Sequence, residues 1–553
     1  MESYRTERGP RQRVVTWLGE MDEAGRLGVE RVAEGDPGFQ QNLFEKTEPE
    51  WVEIDVKRVR VENVVGFGGP WLGLELMHWL GLDQFFLEHV SGGREEIPWA
   101  IVGEVLVLCR LCHPSSELHI AERFFEQTAM ADLLGISCEK INEDRLYRAL
   151  DQVLPHKEAL ERHLKERVGS LFHLDYDLFL YDVTSTYFEG EARINPLAQR
   201  GYSRDHRGDC KQICIGLVVS REGFPLGYEL FAGNRTDVTT VEEIIGLMEG
   251  RYGRANRIWV MDRGMVSEET MRLLTKEGRR YILGTQRGQL KKYEGELLKT
   301  DWQEVQSGLG VKRVDSPDGK EVFILCRSRD RAEKEKAIHD RFEQRIEETL
   351  IRVEKSCEKR RYQVNLIERR IGRLLERNSR AAGLFDVRVE KGSTGGAKII
   401  WTKREEWWQW SRLSEGCYML RSNIRDWSPE DLWKAYIQLT EAEEAFRIHK
   451  SDLSIRPIWH QKEERVRAHI LVCFLAYVLW KTLGRLCRQA GLGDEPRKIF
   501  SELSQIKLTD VILPTRNGKE IKLRCVETPS VHQLVLLQKL KLNLPKRIVK
   551  RNL

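Results

Sequence analysis

The chain has 553 residues, of which 41% are hydrophobic and 32% are charged. A chain of this length is expected to fold into several domains, and the composition excludes a disordered protein and argues against an integral membrane protein. Lys and Arg number 90 against 86 Asp and Glu, a formal net charge of +4, so the overall charge alone does not indicate a nucleic-acid-binding protein.

The apolar and cysteine-containing segments predict a buried helix and a reducing compartment. The longest apolar run, residues 469–480, is shorter than the roughly 20 residues of a membrane span and predicts a core helix, with no membrane partner. The 11 cysteines occur mostly singly. Cys109, Cys112 and His113 match a haem-attachment or half-zinc pattern, but their apolar helical surroundings favour core packing.

The first two regions differ in their hydrophobic pattern. Residues 1–60 are polar and lack strong periodicity. Residues 61–171 carry apolar side chains at spacings of three and four, which predicts an all-helical N-terminal domain. The first 171 residues are therefore expected to contain a polar segment followed by a compact helical domain.

The pattern changes to alternating strands after residue 171. Residues 172–285 predict three strands, a helix, a strand, a second helix that begins with a serine cap, and a strand. This order is typical of a mixed sheet covered by helices, so the predicted fold class is α/β.

An insertion is expected to interrupt this sheet. Residues 286–414 contain a hairpin, a long charged helical stretch over 330–380 and a strand beside several tryptophans, which predicts an α+β insertion domain. Residues 415–490 resume the core with a strand and two helices, one over 428–453 and one over 462–487. Residues 491–553 form a C-terminal region with a hairpin and a basic tail.

Two aspartates stand where an α/β fold places chemistry. Asp182 lies within an apolar strand, where an ionised carboxylate costs free energy unless something pairs with it. Asp262 ends the short strand over residues 258–261, just before a loop. The alternative for Asp262 is a capping residue of that loop.

A third acid belongs to a later helix. Tyr436, Leu439, Glu443, Arg447 and Lys450 follow one another at spacings of three and four, so they are expected on one helix face. Glu443 could hold a metal ion while its neighbours hold phosphate oxygens. The alternative is an exposed face with ion pairs along the helix.

The three acids together predict a site for hard cations. Two aspartates and a glutamate supply the oxygen ligands that Mg²⁺ or Mn²⁺ prefers. Two such ions roughly 4 Å apart can activate an attacking oxygen and stabilise the leaving oxygen of a phosphoryl displacement. We therefore interpret Asp182, Asp262 and Glu443 as metal ligands and catalytic residues.

The order strand-Asp, strand-Asp, insertion, helix-Glu resembles the DDE transposases of bacterial insertion sequences, whose catalytic core is ribonuclease H-like. One branch has the signature Tyr, two residues, Arg, three residues, Glu, six residues, Lys. This chain matches it at Tyr436, Glu443 and Lys450 and departs at Leu439, where Arg447 could compensate. The segments around Asp182 and Asp262 also resemble the first two motifs of the family.

The resemblance implies an enzyme that cuts double-stranded DNA at terminal inverted repeats and joins the freed 3′-hydroxyl to target DNA. It implies two Mg²⁺ or Mn²⁺ ions, a dimer on DNA and a cytoplasmic, nucleoid-associated place in a bacterium. Tyr436, Arg447 and Lys450 are expected to contact DNA. A tryptophan of the insertion would stack on a flipped base. Four candidates exist: Trp401, Trp407, Trp408 and Trp410. Of these, Trp401 and Trp408 are chosen.

The helical N-terminal domain would bind the element's ends, with residues 143–154 as the candidate recognition segment. Three other readings stay open. The chain could be a catalytically silent transposase-derived DNA-binding protein or a ribonuclease H-like nuclease without strand transfer. Glycoside hydrolysis by two carboxylates would leave Tyr436 and Lys450 without a role.

Overall fold

A computed structural model describes residues 2–6, 9–13, 51–90, 95–254, 257–392 and 395–548. Most of the polar N-terminal segment and the last residues of the basic tail lie outside these ranges. The chain divides into two compact units, one made of residues 1–61 and 511–523 and the other of residues 62–510 and 524–553. All residues of the candidate site belong to the second unit.

The strands are numbered in chain order. Within the described residues they are β1 (Glu2–Thr6), β2 (Gly9–Arg13), β3 (Arg60–Gly66), β4 (Leu178–Tyr187), β5 (Gln212–Val219), β6 (Pro225–Ala232), β7 (Ile258–Met261), β8 (Arg280–Gly284), β9 (Gln303–Gln306), β10 (Leu309–Asp315), β11 (Val322–Ser328), β12 (Phe385–Lys391), β13 (Ala397–Lys403), β14 (Cys417–Ser422), β15 (Lys507–Pro514) and β16 (Glu520–Val526).

The α-helices are numbered in the same way. They are α1 (Gly68–Leu80), α2 (Leu82–His89), α3 (Trp99–Cys112), α4 (Glu117–His119), α5 (Met130–Leu134), α6 (Glu143–Val153), α7 (Lys157–Phe172), α8 (Val241–Tyr252), α9 (Glu268–Lys276), α10 (Glu294–Leu298), α11 (Arg329–Lys359), α12 (Val364–Arg377), α13 (Ser379–Ala382), α14 (Glu405–Leu413), α15 (Pro429–Ile437), α16 (Thr440–Ser451), α17 (Glu463–Gln489), α18 (Pro496–Leu503) and α19 (Val531–Lys539).

A nine-stranded mixed sheet forms the centre of the larger unit. Its strand order is β6-β5-β4-β7-β8-β14-β11-β10-β9. The pairs β4–β7 and β7–β8 are parallel, and the other neighbours are antiparallel. The α/β class and the mixed sheet predicted for residues 172–285 are confirmed. The strand of residues 417–422 also rejoins the core, since β14 pairs with β8.

Alternation along the buried strands divides the core between the two faces of the sheet. Leu178 and Leu180 of β4 belong to a large cluster that also contains α3 and α17. Phe179 and Tyr181 point to the opposite face, into a cluster with α8 and α9. Because side chains alternate along a strand, Asp182 shares the face of Leu178 and Leu180. That is the face against which α16 packs.

The apolar helix α17 lies inside the protein. By length and composition it could cross a membrane, but 89% of its apolar window is buried. Its side chains pack with those of α3 and α6 in one continuous cluster. The prediction of a core helix over residues 469–480 is therefore confirmed.

The predicted insertion divides into two parts. Its first strands, β9 to β11, extend the central sheet through the β11–β14 pair. The rest has a core of its own, made by α11, α12 and the β12–β13 hairpin. Ile346, Leu350 and Val353 form the buried side of α11, as their spacing predicts. The strand residues before 329 thus belong to the sheet.

The single helix predicted over residues 428–453 is wrong, because two helices occupy this stretch. After α15 ends at Ile437, the backbone hydrogen bonds span three residues. The amide of Leu439 donates to the carbonyl of Tyr436, and the amide of Glu441 donates to the carbonyl of Gln438. The Thr440 hydroxyl donates to the carbonyl of Ile437 at 2.8 Å. This local bond competes with the helical pattern, so α16 starts afresh at Thr440.

Candidate functional site

Asp182 lies on β4, and Asp262 directly follows the neighbouring parallel strand β7. The register pairs Tyr181 of β4 with Met261, the last residue of β7, and an aspartate follows each of them in the chain. Neighbouring strands are about 4.8 Å apart. Two residues that are 80 positions apart in the chain are therefore brought to the same level of the sheet.

Asp182 is a buried acid in an unfavourable electrostatic environment. Its pKa is raised to about 7, mainly by burial, and the charges of Glu443 and Asp237 contribute to the increase. The amide of Val183, which donates to Oδ1 at 2.8 Å, and the charge of Arg204 oppose this shift. The protein therefore holds this carboxylate where its negative charge is poorly compensated.

Glu443 completes the group from α16. Burial raises its pKa, and the charge of Asp262 adds to the shift. Since the charge of Glu443 also acts on Asp182, the helix acid lies within electrostatic reach of both strand acids. Glu443 lies in the first turn of α16, where the helix dipole favours a negative charge.

The three acids are neighbours but are not arranged as a finished metal shell. Among the residues that the structure describes, no three His, Cys, Asp or Glu side chains are gathered closely enough to hold a metal ion as they stand. Their chemistry fits a hard divalent cation, because the ligands are carboxylate oxygens. A bound cation would also relieve the mutual repulsion of Asp182, Asp262 and Glu443.

Tyr436 orients one of the acids. Its hydroxyl donates to Oδ1 of Asp262 at 3.1 Å from the last turn of α15. Gly284 of β8 makes this approach possible, because a Cβ there would lie 2.5 Å from the Tyr436 hydroxyl. Tyr436 therefore contacts an acid of the site directly.

Lys450 lies in a compact charged cluster at the other end of α16. Its Nζ donates to Oδ1 of Asp205 at 2.9 Å, and Arg456 binds the same oxygen. Asp205 is almost fully buried, and its other oxygen has no hydrogen-bond partner within the described structure. Burial lowers the pKa of Lys450, against the opposing effect of Asp205.

The remaining residues of the predicted helix face lie elsewhere. Leu439 is buried in the core, so the position occupied by arginine in the resembled signature carries an apolar side chain. The Arg447 side chain is 58% exposed and pairs with Glu444 and Asp452. The structure does not bring Arg447 into contact with the three acids.

A basic, aromatic cleft begins next to Asp262. Its volume is about 550 Å³, and Arg263 forms part of its wall. Three further arginines and two tryptophans line it: Arg287, Arg331, Arg380, Trp407 and Trp410. Lys291 lies over the Trp407 ring at 4.6 Å. Positive charge combined with exposed aromatic surface is what a nucleotide strand requires.

The two tryptophans chosen from the sequence are partly buried against the insertion's own core. Trp401 packs against that cluster and donates to Glu354 at 3.2 Å, and Trp408 packs there too. Trp407, which is 46% exposed, and Trp410 face the cleft instead. The spacing could have distinguished Trp407 and Trp410 from the other two tryptophans, because residues three apart lie on the same face of a helix.

Sequence reasoning missed the loop between β4 and β5. From it, Arg204 binds both oxygens of Asp237, at 2.5 and 2.6 Å, and Asp205 holds Lys450 and Arg456. The density of charged residues in residues 200–211 was an available signal. Asp237 itself begins a short turn of helix and had no comparable signal.

The candidate recognition segment, residues 143–154, is an amphipathic helix on the protein surface. Leu146, Ala149 and Leu150 of α6 are buried. The exposed face carries acids that would repel phosphate: Glu143, Asp144 and Asp151. The assignment of α6 to DNA recognition stays a prediction.

Comparison with known proteins gave one family match. The model of the transposase DDE domain matches residues 173–479, more than half of the chain. The matched range includes all three acids, Tyr436 and Lys450. A search of the curated proteins found no match.

Proposed function

The chain belongs to the transposase DDE domain family, and from this premise we propose that it is the transposase of a bacterial insertion sequence. It cuts DNA at the ends of its element and joins the freed 3′-hydroxyl ends to target DNA. Both reactions are phosphoryl displacements, so one active site can serve them in turn.

The observation that supports this proposal is the mutual electrostatic influence of three acids. Asp182 and Asp262 share one level of the sheet, and the charge of Glu443 acts on Asp182 as that of Asp262 acts on Glu443. A fold that only needed stability would gain by replacing such repelling carboxylates. Their presence beside a basic cleft supports a catalytic role.

Asp182, Asp262 and Glu443 would hold two Mg²⁺ or Mn²⁺ ions. When bound, such ions supply activation of the attacking oxygen and neutralisation of the leaving oxygen. The Tyr436 hydroxyl fixes the orientation of the Asp262 carboxylate. Lys450 supplies positive charge for a phosphate of the same strand, at the far end of the helix that carries Glu443.

The cleft beside Asp262 would hold the DNA near the cut. Arg263, Arg287 and Arg331 would contact phosphates, and an unstacked base would lie on the exposed ring of Trp407. Trp407 and Trp410 therefore replace Trp401 and Trp408 as the stacking candidates.

The proposed partners are the terminal inverted repeats, bound as double-stranded DNA, and a target duplex. Two element ends must be held together for transposition, so a dimer on DNA is proposed. The N-terminal helices would contribute to end binding. The proposed location is the bacterial cytoplasm, on the nucleoid.

The test uses purified full-length protein and a linear duplex that carries the DNA flanking its reading frame. Cleavage is measured with Mg²⁺, Mn²⁺ or EDTA, and strand transfer is measured with a supercoiled plasmid. Asp182→Asn is compared with Asp209→Asn, a substitution of an exposed aspartate. We expect metal-dependent nicking and joined products from wild type and Asp209→Asn alone.

Other outcomes would favour the alternatives. Nicking without joined products would support a nuclease without strand transfer. Tight binding of the flanking DNA, with wild type and Asp182→Asn equally inactive, would support a silent DNA-binding descendant and overturn the proposal.

A further inference from the structure

A second pocket lies on the side of Arg456 that faces the N-terminal helices. Its volume is about 210 Å³. Hydrogen-bond donors dominate its lining: Arg110, Ser115, Ser116, Tyr147, Arg456 and His460. The pocket therefore joins helices α3 and α6 to the segment that follows the catalytic helix α16.

The charge of this pocket favours an anion. Its carboxylate, Glu117, is already bound to His460 at 3.2 Å. Arg110 is nine-tenths buried, and its described hydrogen-bond partners are the carbonyls of Leu453 and Ser454 and a ring nitrogen of His469. None of these partners carries a carboxylate charge, so a phosphate can supply the charge that balances the buried guanidinium.

The pocket is connected to the catalytic helix through one carboxylate. Arg456 and Lys450 both bind Oδ1 of Asp205, so two positive charges share a single oxygen. A strand whose phosphate contacts Lys450 can therefore place its next phosphate at Arg456. The two cations together outnumber the acid that they share.

An exposed tryptophan stands at the rim of this pocket. Trp459 is 66% exposed, although the backbone around it is fixed. Ile458 pairs with the end of β4, through its amide to Tyr187 at 2.9 Å and its carbonyl to the amide of Glu189 at 3.0 Å. The Gln461 side chain donates to the carbonyl of Trp459 at 2.8 Å. An exposed ring on a rigid backbone is a ready stacking surface.

We propose that this pocket is a second nucleotide subsite, which takes a single-stranded stretch of the DNA held at Lys450. Arg456 and the neighbouring hydroxyl groups bind a phosphate, and one base stacks on Trp459. This inference rests on the proposed function, because it assumes that the strand at the three acids is DNA. The subsite lies outside the cleft lined by Trp407.

Binding is tested without chemistry, in EDTA. The probe is a 12-nucleotide mixed-sequence DNA single strand that carries 2-aminopurine. It is titrated with the full-length protein. Trp459→Ala is compared with Trp459→Phe and with Trp51→Ala, a control on another exposed tryptophan. We expect about tenfold weaker binding for Trp459→Ala alone. Equal affinity of Trp459→Ala and wild type would overturn the subsite.

The phosphate contact has its own measurement. Arg456→Gln should reduce the salt dependence of binding by about 0.7 in the log–log slope, as expected for one lost contact to a single strand. Arg272→Gln, a change at an exposed arginine of α9, should leave it unchanged. An unchanged slope in Arg456→Gln would overturn the assignment of the phosphate.

A crosslinking experiment locates the base. The same strand with 5-bromouracil is irradiated on the protein, and the peptide that carries the adduct is identified. An adduct at Trp459 supports the subsite, and an adduct confined to the Trp407 cleft overturns it. If wild type cleaves DNA and Trp459→Ala binds the strand as tightly as wild type, the subsite is contradicted and the proposed reaction is not. If the strand binds at Trp459 but the protein does not cleave DNA, the proposed reaction is contradicted and the subsite is not.

Discussion

The regions at the two ends of α16 differ in the sign of their excess charge. Near its first turn, Asp182, Asp262 and Glu443 lie within electrostatic reach of one another, and burial and mutual repulsion raise the pKa of Asp182 and of Glu443. Near its last turn, Lys450 and Arg456 share the single carboxylate of Asp205. The first region has an excess of negative charge, and the second has an excess of positive charge.

This difference indicates what each region binds. A cluster of carboxylates that destabilise one another is completed by metal cations, and an excess of buried cations is completed by phosphate oxygens. A phosphodiester with its divalent ions carries both. The α16 helix thus presents its two ends to two parts of one substrate.

The largest expected effect is loss of cleavage on removing an acid. Asp182→Asn should lower the rate by about 10³-fold or more, because it removes charge where the reaction develops it. The same substitution should raise the metal-free melting temperature, since it removes a repelling charge from the protein interior. Cleavage assays and thermal unfolding on one preparation check both. A variant that loses activity and stability together would point to a structural role.

At the other end of α16, neutralising the acid should have the opposite effect on stability. Asp205→Asn leaves Lys450 and Arg456 without their shared countercharge, so we expect a loss of about 3 kcal/mol in the free energy of unfolding. Urea unfolding in metal-free buffer measures it. Asp209→Asn, at an exposed position, is the matched control and should change stability by less than about 0.5 kcal/mol.

The raised pKa of Asp182 gives the first region a distinctive pH dependence. Between about pH 4 and pH 7 the folded protein keeps a proton that the unfolded chain has released. Stability in metal-free buffer should therefore fall as pH rises, by up to about 1.4 kcal/mol per unit for this group, until about pH 7. The difference in unfolding free energy between wild type and Asp182→Asn isolates the effect. A difference that is constant with pH would contradict it.

The cleft offers a paired test on adjacent tryptophans. Trp407→Ala should weaken DNA binding by about tenfold with little change in stability, because the ring is half exposed. Trp408→Ala should destabilise the protein by about 2 kcal/mol, because the ring packs in the insertion core. Binding to labelled DNA and urea unfolding separate the two effects. If Trp408→Ala weakens DNA binding and Trp407→Ala lowers stability instead, Trp408 is the stacking residue.

Arg447 should show the smallest effect. Its side chain is largely exposed and bound to Glu444 and Asp452, so Arg447→Gln should change stability by less than about 0.5 kcal/mol. Cleavage should stay within about threefold of wild type. A large loss of cleavage would show that Arg447 turns towards the DNA and compensates for Leu439.

Part of this site could be predicted because it depends on local pattern. Asp182 and Asp262 stand out as charges within or just after apolar strands, and strand alternation gives the face on which Asp182 lies. The helix break between Ile437 and Thr440 could not be predicted in the same way. It depends on a bond between the Thr440 hydroxyl and the Ile437 carbonyl, which a spacing of three and four does not reveal.

The insertion shows a similar limit. The apolar spacing in α11 correctly predicts its buried face, since that face packs within its own hairpin. The sequence of β9 to β11 predicts strands but not their partners. Their addition to the central sheet depends on the pairing of β11 with β14, whose residues lie about 95 positions further along the chain.

The sequence by itself determined the alternating strands, the amphipathic helices and the three acids, because burial and periodicity act over a few residues. Tertiary structure alone decided which charges meet: Asp205 with Lys450 and Arg456, and Glu443 with the two strand acids. Such contacts join residues far apart in the chain, and their energies depend on distance and burial, which only the folded arrangement fixes.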